Sequence, residues 1–490
     1  MRIPSHLYRH SLALLTDFYQ LTMAYAYFRT GVADREAVFH LFFRKHPFGG
    51  GFTVAAGLAH LADWLETCRF TDDDLSYLGE QRGADGRPLF EPAFLEHLKR
   101  LQFALDVDAM PEGTVVFPHE PLLRVRGPII PAQLVETMLL NTINFQSLVA
   151  TKAARIVQAA RGAPVIEFGL RRAQGMDGAL AASRAAYIGG CTATSNTLAG
   201  RVYGIPVRGT HAHSWVMLWD DERAAFDAYA EVLPGNCVFL VDTYNTLDGV
   251  RHATESAAGL RARGHEMVGV RLDSGDLAYL SIEARKILDA AGFPKASILA
   301  SNDLDEHIIA SLREQGAKID AWGVGTKLVT AFDEPALGGV YKLGAVRAPG
   351  GDWEYRVKLS EQSTKISTPG ILEVRRFLSD RGELRGDVIW DQPHGIPDGC
   401  TMVDPFDFTR RKTIPAGTPY EDLLVPIFRA GKRVYQEPSL EALRTRAQGQ
   451  LARLHPGVRR FMNPHEYPVG LEAGLHERRT KLVMRARGHK

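Results

Sequence analysis

Short apolar runs and longer mixed stretches alternate through the middle of this chain, and that rhythm decides its architecture. From Pro164 onward, runs at 164–168, 237–241, 267–272, 297–300 and 319–324 have the length and composition of buried strands. Between them, stretches such as 248–263 and 278–291 repeat apolar positions at helical spacing. Strands alternating with such helices predict crossover units and a parallel sheet. Enough units are present to close a β/α barrel, placed here at residues 151–340.

The flanking segments have another rhythm. Residues 1–150 read as an N-terminal α+β domain. A helix begins near Asp17 with Thr16 as N-cap, 37–44 alternates as a strand, and Gly49-Gly50-Gly51 makes a turn. A short helix covers 57–66, β-like runs punctuated by Pro118, Pro121 and Pro128 fill 112–128, and a long helical pattern spans 131–161. After Gly338 the pattern is β-rich again, with strands at 340–343, 353–359 and 371–378 and a Pro369-Gly370 turn. From Ser439 it is helical, then basic. Residues 341–490 are therefore assigned as a return to the α+β domain plus a C-terminal extension. The fold class is α/β.

Composition narrows the functional classes. The 490 residues are 45% hydrophobic and 23% charged, as in a globular protein of two or three domains. Lysine plus arginine (58) nearly balances aspartate plus glutamate (57), so no global field selects nucleic acid and anion binding must be local. The basic C-terminal tail reads as solvated charge. Neither a leader peptide nor a membrane-spanning run is recognisable. Cys68, Cys191, Cys237 and Cys400 lie far apart and read as thiols of a cytoplasmic protein.

The candidate chemistry gathers at the carboxyl ends of the predicted strands, which in a β/α barrel converge on one site. Glu167-Phe168-Gly169-Leu170-Arg171-Arg172 supplies two guanidinium groups. Gly209-Thr210-His211-Ala212-His213-Ser214 supplies hydroxyls and two histidines. Asp242-Thr243-Tyr244 adds a carboxylate, and Arg271-Leu272-Asp273-Ser274-Gly275-Asp276 an arginine and two acids. Ser301-Asn302-Asp303 and Gly323-Val324-Gly325-Thr326 complete the rim with short polar groups and bare amides. Arginines bind phosphate or carboxylate bidentately, glycine turns entering a helix expose amides to phosphate, and aspartates hold ribose hydroxyls or hydrated magnesium. Each element also has a plain role: Asp273 or Asp276 as a helix cap, the glycines as a tight turn, an arginine as a surface ion pair. The missing Gly-x-x-x-x-Gly-Lys loop disfavours a P-loop nucleotidase, and the missing His-Glu-x-x-His a zinc helix.

These segments, together with Leu15-Thr16-Asp17-Phe18-Tyr19-Gln20-Leu21-Thr22-Met23, resemble nicotinate phosphoribosyltransferase in composition and order, from about Leu14 to Pro369. The resemblance implies an irregular type II phosphoribosyltransferase barrel. It implies condensation of nicotinate with phosphoribosyl pyrophosphate to nicotinate mononucleotide and pyrophosphate, a first step of NAD synthesis. Coupled ATP hydrolysis would proceed through a phosphohistidine, here His213. Nicotinate would meet Tyr19, Arg171, Thr210 and Arg271. Phosphoribosyl pyrophosphate would meet Arg172, Asp242, Asp273, Ser301, Asn302, Gly323, Gly325, Thr326 and Ser367, the last standing where the family usually has threonine. Magnesium would travel on the substrate, with no direct protein ligand assigned. A homodimer is implied, with Tyr19 reaching the neighbouring barrel.

Four rivals remain. A nicotinamide-using relative resembles this chain at Ser195-Asn196-Thr197 but carries aspartate at the place of Asn196; the neutral Asn196 favours the acid. A quinolinate-using enzyme would want more cationic groups and a much shorter chain. A phosphosugar aldolase or isomerase on the same barrel would need a lysine at a strand end, and Lys327 is the near candidate. That barrel enzyme is the rival from another class, and a non-catalytic binding protein is a further option.

Overall fold

Helix caps and buried strands sort the chain into two units, Met1–Leu148 with Ala336–Lys490, and Val149–Pro335. The computed structural model describes residues 12–488. The N-terminal residues read for a leader and the last two residues of the basic tail lie outside them.

The 149–335 unit carries the predicted alternation. Strands β1 (Val165–Glu167), β2 (Ala193–Thr194), β3 (Val238–Leu240), β4 (Gly269–Leu272), β5 (Ser297–Ala300) and β6 (Ala321–Val324) form one parallel sheet, ordered β2-β1-β6-β5-β4-β3. One parallel bridge, Thr194 to Val207, adds a further short segment outside β2. Phe239, Leu240, Val270, Leu272, Ile298, Ala300, Trp322 and Val324 are buried. Such continuous apolar runs suit strands covered on both faces. Five helices of this unit start on Asn196, Asp221, Asn245, Asp276 or Asp305, each accepting an amide of the first turn. A helix beginning on a polar cap puts polar side chains at the strand-to-helix turns before any ligand is considered.

The other unit is built from antiparallel pairing over long separations. Glu36–Phe42 lies between Val340–Arg347 and Leu123–Pro128 in a seven-stranded sheet, so chain far beyond the barrel segment completes the sheet begun near the N-terminus. A six-stranded sheet holds Leu372–Leu378 against Leu384–Asp391 and Tyr420–Asp422. Among the described residues no helix is long and apolar enough to cross a membrane, and the four cysteines form no disulfide.

Three local readings change. The first helix is Phe18–Arg29 with Asp17, not Thr16, at the N-cap position, and neither side chain caps it. The Thr16 hydroxyl lies 3.4 Å from that of Thr137, and Asp17 accepts the Thr137 hydroxyl at 3.1 Å, so long-range bonds win over local capping. The long helix is split at Val135 into Ile129–Leu134 and Glu136–Ala160. The strand expected at 353–359 shrinks to Glu354–Tyr355, because the Lys358 amide turns to the Ser367 hydroxyl instead of a ladder partner.

Buried neutral histidines set an acid limit on stability. His40 accepts the Leu372 amide at 3.1 Å and His46 pairs with the Thr53 hydroxyl at 2.9 Å; burial lowers both to about 3. The unfolded chain protonates them near pH 6.5, so it binds more protons than the fold between those values. Stability is therefore full above that point and falls with acidification, by roughly 1.4 kcal/mol per pH unit per histidine. Chemical melts from pH 7.5 to 5 should show this slope, and His40→Gln, which keeps an acceptor but cannot titrate, should flatten it. An unchanged slope in that variant would clear His40 of the role.

Candidate active site

The two histidines of the 209–214 turn have different surroundings. His211 is buried against Phe226 and Tyr229, accepts the Leu240 amide on Nε2 at 3.2 Å, and is lowered by burial to about 4. His213 opens the short helix His213–Met217 with its ring partly exposed. Its Nδ1 lies 3.2 Å from the Thr243 hydroxyl and its Nε2 lies 3.8 Å from Asp273. Of the two, His213 is the one whose ring nitrogens lie near a hydroxyl on one side and a carboxylate on the other at the strand ends.

A chain of carboxylate bonds ties those ends together. Asp242, just past β3, accepts the Asp273 amide at 3.0 Å and the Ser274 hydroxyl at 2.5 Å. Asp273, just past β4, in turn accepts the hydroxyl of Ser301, just past β5. The second oxygen of Asp242 is buried and makes no hydrogen bond among the described residues. A buried oxygen left so is costly unless something else occupies it.

Cations converge beside these acids. Burial lowers the Arg271 guanidinium below its ordinary value; Asp273 and Asp242 oppose the shift and Arg171 adds to it. Arg271 gives one N–H to the His211 carbonyl at 3.3 Å, while its buried Nε has no partner. Arg171 and Arg172 stand exposed on the turn Leu170–Arg172 and make no ion pair among the described residues. That turn hangs on Glu167, a buried carboxylate taking the Gly169 amide and the hydroxyls of Ser183 at 2.8 Å and Thr194 at 2.6 Å. An unpaired Arg171 near the desolvated Arg271 makes a place for an anion.

The remaining predicted residues divide. The Thr210 hydroxyl donates to the His211 carbonyl at 3.2 Å. Asn302 holds φ 121°, a strained value for a residue with a side chain, at the end of β5. Gly325 stands at the N-cap of the short helix Thr326–Val329. Gly323 answers to packing first, since a Cβ there would lie 2.5 Å from the Phe168 ring. Tyr19 and Ser367 belong to the other unit: Tyr19 is half-exposed on Phe18–Arg29, and Ser367 is buried with its hydroxyl accepting the Lys358 amide at 2.9 Å.

Several residues have plainer tasks than the sequence allowed. Asp276 caps Leu277–Ala290 through two amides at 3.1 Å, leaving Asp273 as the acid of the rim. Asn196 is buried, caps Thr197–Tyr203 and donates to Ser183 at 3.1 Å, so its engagement within the fold weakens it as a discriminator between substrates. Lys327 is held in an ion pair with Asp305 at 2.6 Å, so its side chain is engaged within the fold rather than free at the strand end. Sequence reasoning passed over Glu306, which holds Lys152 at 2.8 Å and Arg155 at 2.7 Å in full burial. Two cations three apart on an otherwise apolar helix were the available signal.

The chain is similar to known proteins over most of its length. Residues 14–144 match the nicotinate phosphoribosyltransferase N-terminal domain and residues 373–479 the C-terminal domain of that family. The chain is 45% identical over 465 residues to a nicotinate phosphoribosyltransferase of Bacillus subtilis, covering 94% of this chain and 93% of the relative. It is 44% identical to one of Mycobacterium tuberculosis, covering 94% and 92%. The crystal structure of human nicotinic acid phosphoribosyltransferase superposes with a TM-score of 0.83 at 35% identity, covering 95% of this chain and 99% of that one.

The packing role of Gly323 is testable apart from any substrate. Gly323→Ala should cost about 1–3 kcal/mol by overpacking against Phe168. Phe168→Leu in the same chain should recover part of it, measured by denaturant melts. Equal cost in the single and double variants would mean that the glycine serves another purpose.

Proposed function

The chain belongs to the nicotinate phosphoribosyltransferase family, and on that premise we propose that it condenses nicotinate with phosphoribosyl pyrophosphate, giving nicotinate mononucleotide and pyrophosphate. The observation that carries this reading is the meeting of a desolvated, incompletely bonded Arg271 with the Asp242–Asp273–Ser301 chain at one end of the parallel sheet.

The chemistry asks for little more. The pyridine nitrogen attacks the anomeric carbon with its own lone pair, the bond from that carbon to the pyrophosphate oxygen breaks, and no proton has to move. Rate then comes from positioning and from charge stabilisation as the sugar becomes cation-like. In this reading Arg271 and Arg171 take the nicotinate carboxylate, Thr210 lies beside it, and Asp242 and Asp273 hold the sugar. Arg172, Ser301, Asn302, Gly323, Gly325 and Thr326 face its phosphates. Magnesium carried on the pyrophosphate would neutralise the leaving group; the unbonded buried oxygen of Asp242 suits such a hydrated cation.

His213 has a separate task in the proposal. It attacks the γ-phosphorus of ATP, ADP leaves, and the phosphohistidine is later hydrolysed to phosphate. Asp273 beside Nε2 favours a proton there, leaving the Nδ1 lone pair as nucleophile. This coupling would make the enzyme an ATP-dependent first step from nicotinate toward NAD. His213→Ala should abolish nicotinate-dependent ATP hydrolysis while some ATP-independent condensation survives. Retained ATP hydrolysis would remove His213 from the role.

We further infer a homodimer with shared sites. Leu15, Phe18, Tyr19 and Met23 are exposed at the start of the chain, an apolar face suited to a second copy. Tyr19 would then stack on the pyridine ring in the partner's barrel. Tyr19 and His213 variants, each lacking nicotinate-dependent ATP hydrolysis, should regain part of that coupled activity when mixed and allowed to exchange subunits. Verified heterodimers without any recovery would contradict the sharing.

A further inference from the structure

The parallel sheet of the 149–335 unit does not close by backbone pairing. Its last strand on one side is β3, and on the other side the chain beyond β2 is joined only by the Thr194–Val207 bridge. Along β3 the amides alternate in direction, as in any strand. The Val241 amide reaches β4, bonding the Arg271 carbonyl at 3.2 Å, so the Leu240 amide faces the open side. Leu240 is fully buried there. A buried N–H without a strand partner needs an acceptor from elsewhere, since leaving it unmade costs the whole desolvation of the group.

His211 supplies that acceptor through Nε2, at 3.2 Å. Its Nδ1 lies 3.5 Å from the Ala212 carbonyl, so the proton belongs on Nδ1 and the lone pair on Nε2. The ring is wedged among Tyr229, Phe226 and Phe239, with centroids 5.0, 6.0 and 6.5 Å away. A second bond crosses the same seam, from the Asn236 side chain to the Gly209 carbonyl at 3.4 Å. The backbone carbonyl of His211 receives the Arg271 guanidinium at 3.3 Å, and that is the one hydrogen bond recorded for this guanidinium among the described residues. One residue therefore fastens the seam with its ring and aims Arg271 with its carbonyl.

We propose that His211 is a positioning residue: its neutral imidazole clasps the open seam of the barrel and thereby sets the direction of Arg271 toward the carboxylate of the pyridine substrate. The seam part is independent of function; the substrate part rests on the reading of the chain as a nicotinate phosphoribosyltransferase. His211 does not touch the reacting atoms in this account.

Two substitutions separate acceptor from bulk. His211→Phe keeps an aromatic ring among its neighbours but offers no lone pair. His211→Gln places a carbonyl oxygen near the position of Nε2. In the full-length protein without substrate, amide hydrogen exchange of the 238–241 segment should quicken roughly tenfold in His211→Phe and return most of the way in His211→Gln. In steady-state assays the nicotinate KM should rise about tenfold in His211→Phe, with the phosphoribosyl pyrophosphate KM nearly constant and the nicotinate KM recovered in His211→Gln. Should His211→Phe fail to fold, 15N spectra of the histidine-labelled parent decide instead, with Nδ1 protonated and Nε2 bare expected. Protonated Nε2, parent-like exchange in His211→Phe, or equal rises in both KM values would overturn the proposal. Failure of the functional reading would look different, as a parent protein inert toward nicotinate with its Leu240 amide still protected.

Discussion

The carboxylate of Asp242 is the constraint on which the rest of the site depends. Three short parallel strands end beside one another, and their ends would be free to splay without a common acceptor. Asp242 takes the backbone of the next strand end and the hydroxyl beside it, and Asp273 passes the connection to Ser301. Charge-assisted bonds of this kind are stronger than neutral ones and directional, so they fix where Asp273 stands. Through Asp273 they also fix what faces Nε2 of His213. The site is thus assembled from acids bonded to amides and hydroxyls, with one buried Asp242 oxygen and the buried Nε of Arg271 left without partners.

That asymmetry has a functional reading. Carboxylate oxygens bonded within the protein cost little to keep, whereas a desolvated arginine with a free N–H gains by meeting an anion. Arg271 is in that condition, and Arg171 and Arg172 remain open to a ligand. A site so prepared favours a carboxylate and phosphates together, the two charged features of the proposed substrates.

Much of this was legible in the sequence. Alternating apolar runs and helical stretches placed five of the six parallel strands within a few residues, missing the two-residue Ala193–Thr194, and polar clusters at strand ends marked the rim because turns into helices collect polar caps there. The same physics hid the division of labour within each cluster. Asp273 and Asp276 sit three apart in one motif, and only the helix start shows that Asp276 is the cap. His211 and His213 differ in burial because of the unclosed seam beside β3, a property of the assembled sheet rather than of the turn. Long-range competition likewise moved the first helix start from Thr16, through Thr137, and shortened the strand at Glu354–Tyr355, through Ser367. Local preference was overruled in each place by a partner more than a motif's length away or by a turn the pattern could not foresee.

The central claim is that His213 carries phosphate on behalf of a reaction at Arg271 and Asp242. Brief exposure of the protein to ATP, followed by mapping of the acid-labile phosphoryl group in proteolytic fragments, tests it most directly. The account predicts one phosphoryl group, on the peptide containing His213, discharged when nicotinate and phosphoribosyl pyrophosphate are added. Phosphate on another residue, or none at all in a protein that still makes nicotinate mononucleotide at an ATP-stimulated rate, would contradict it.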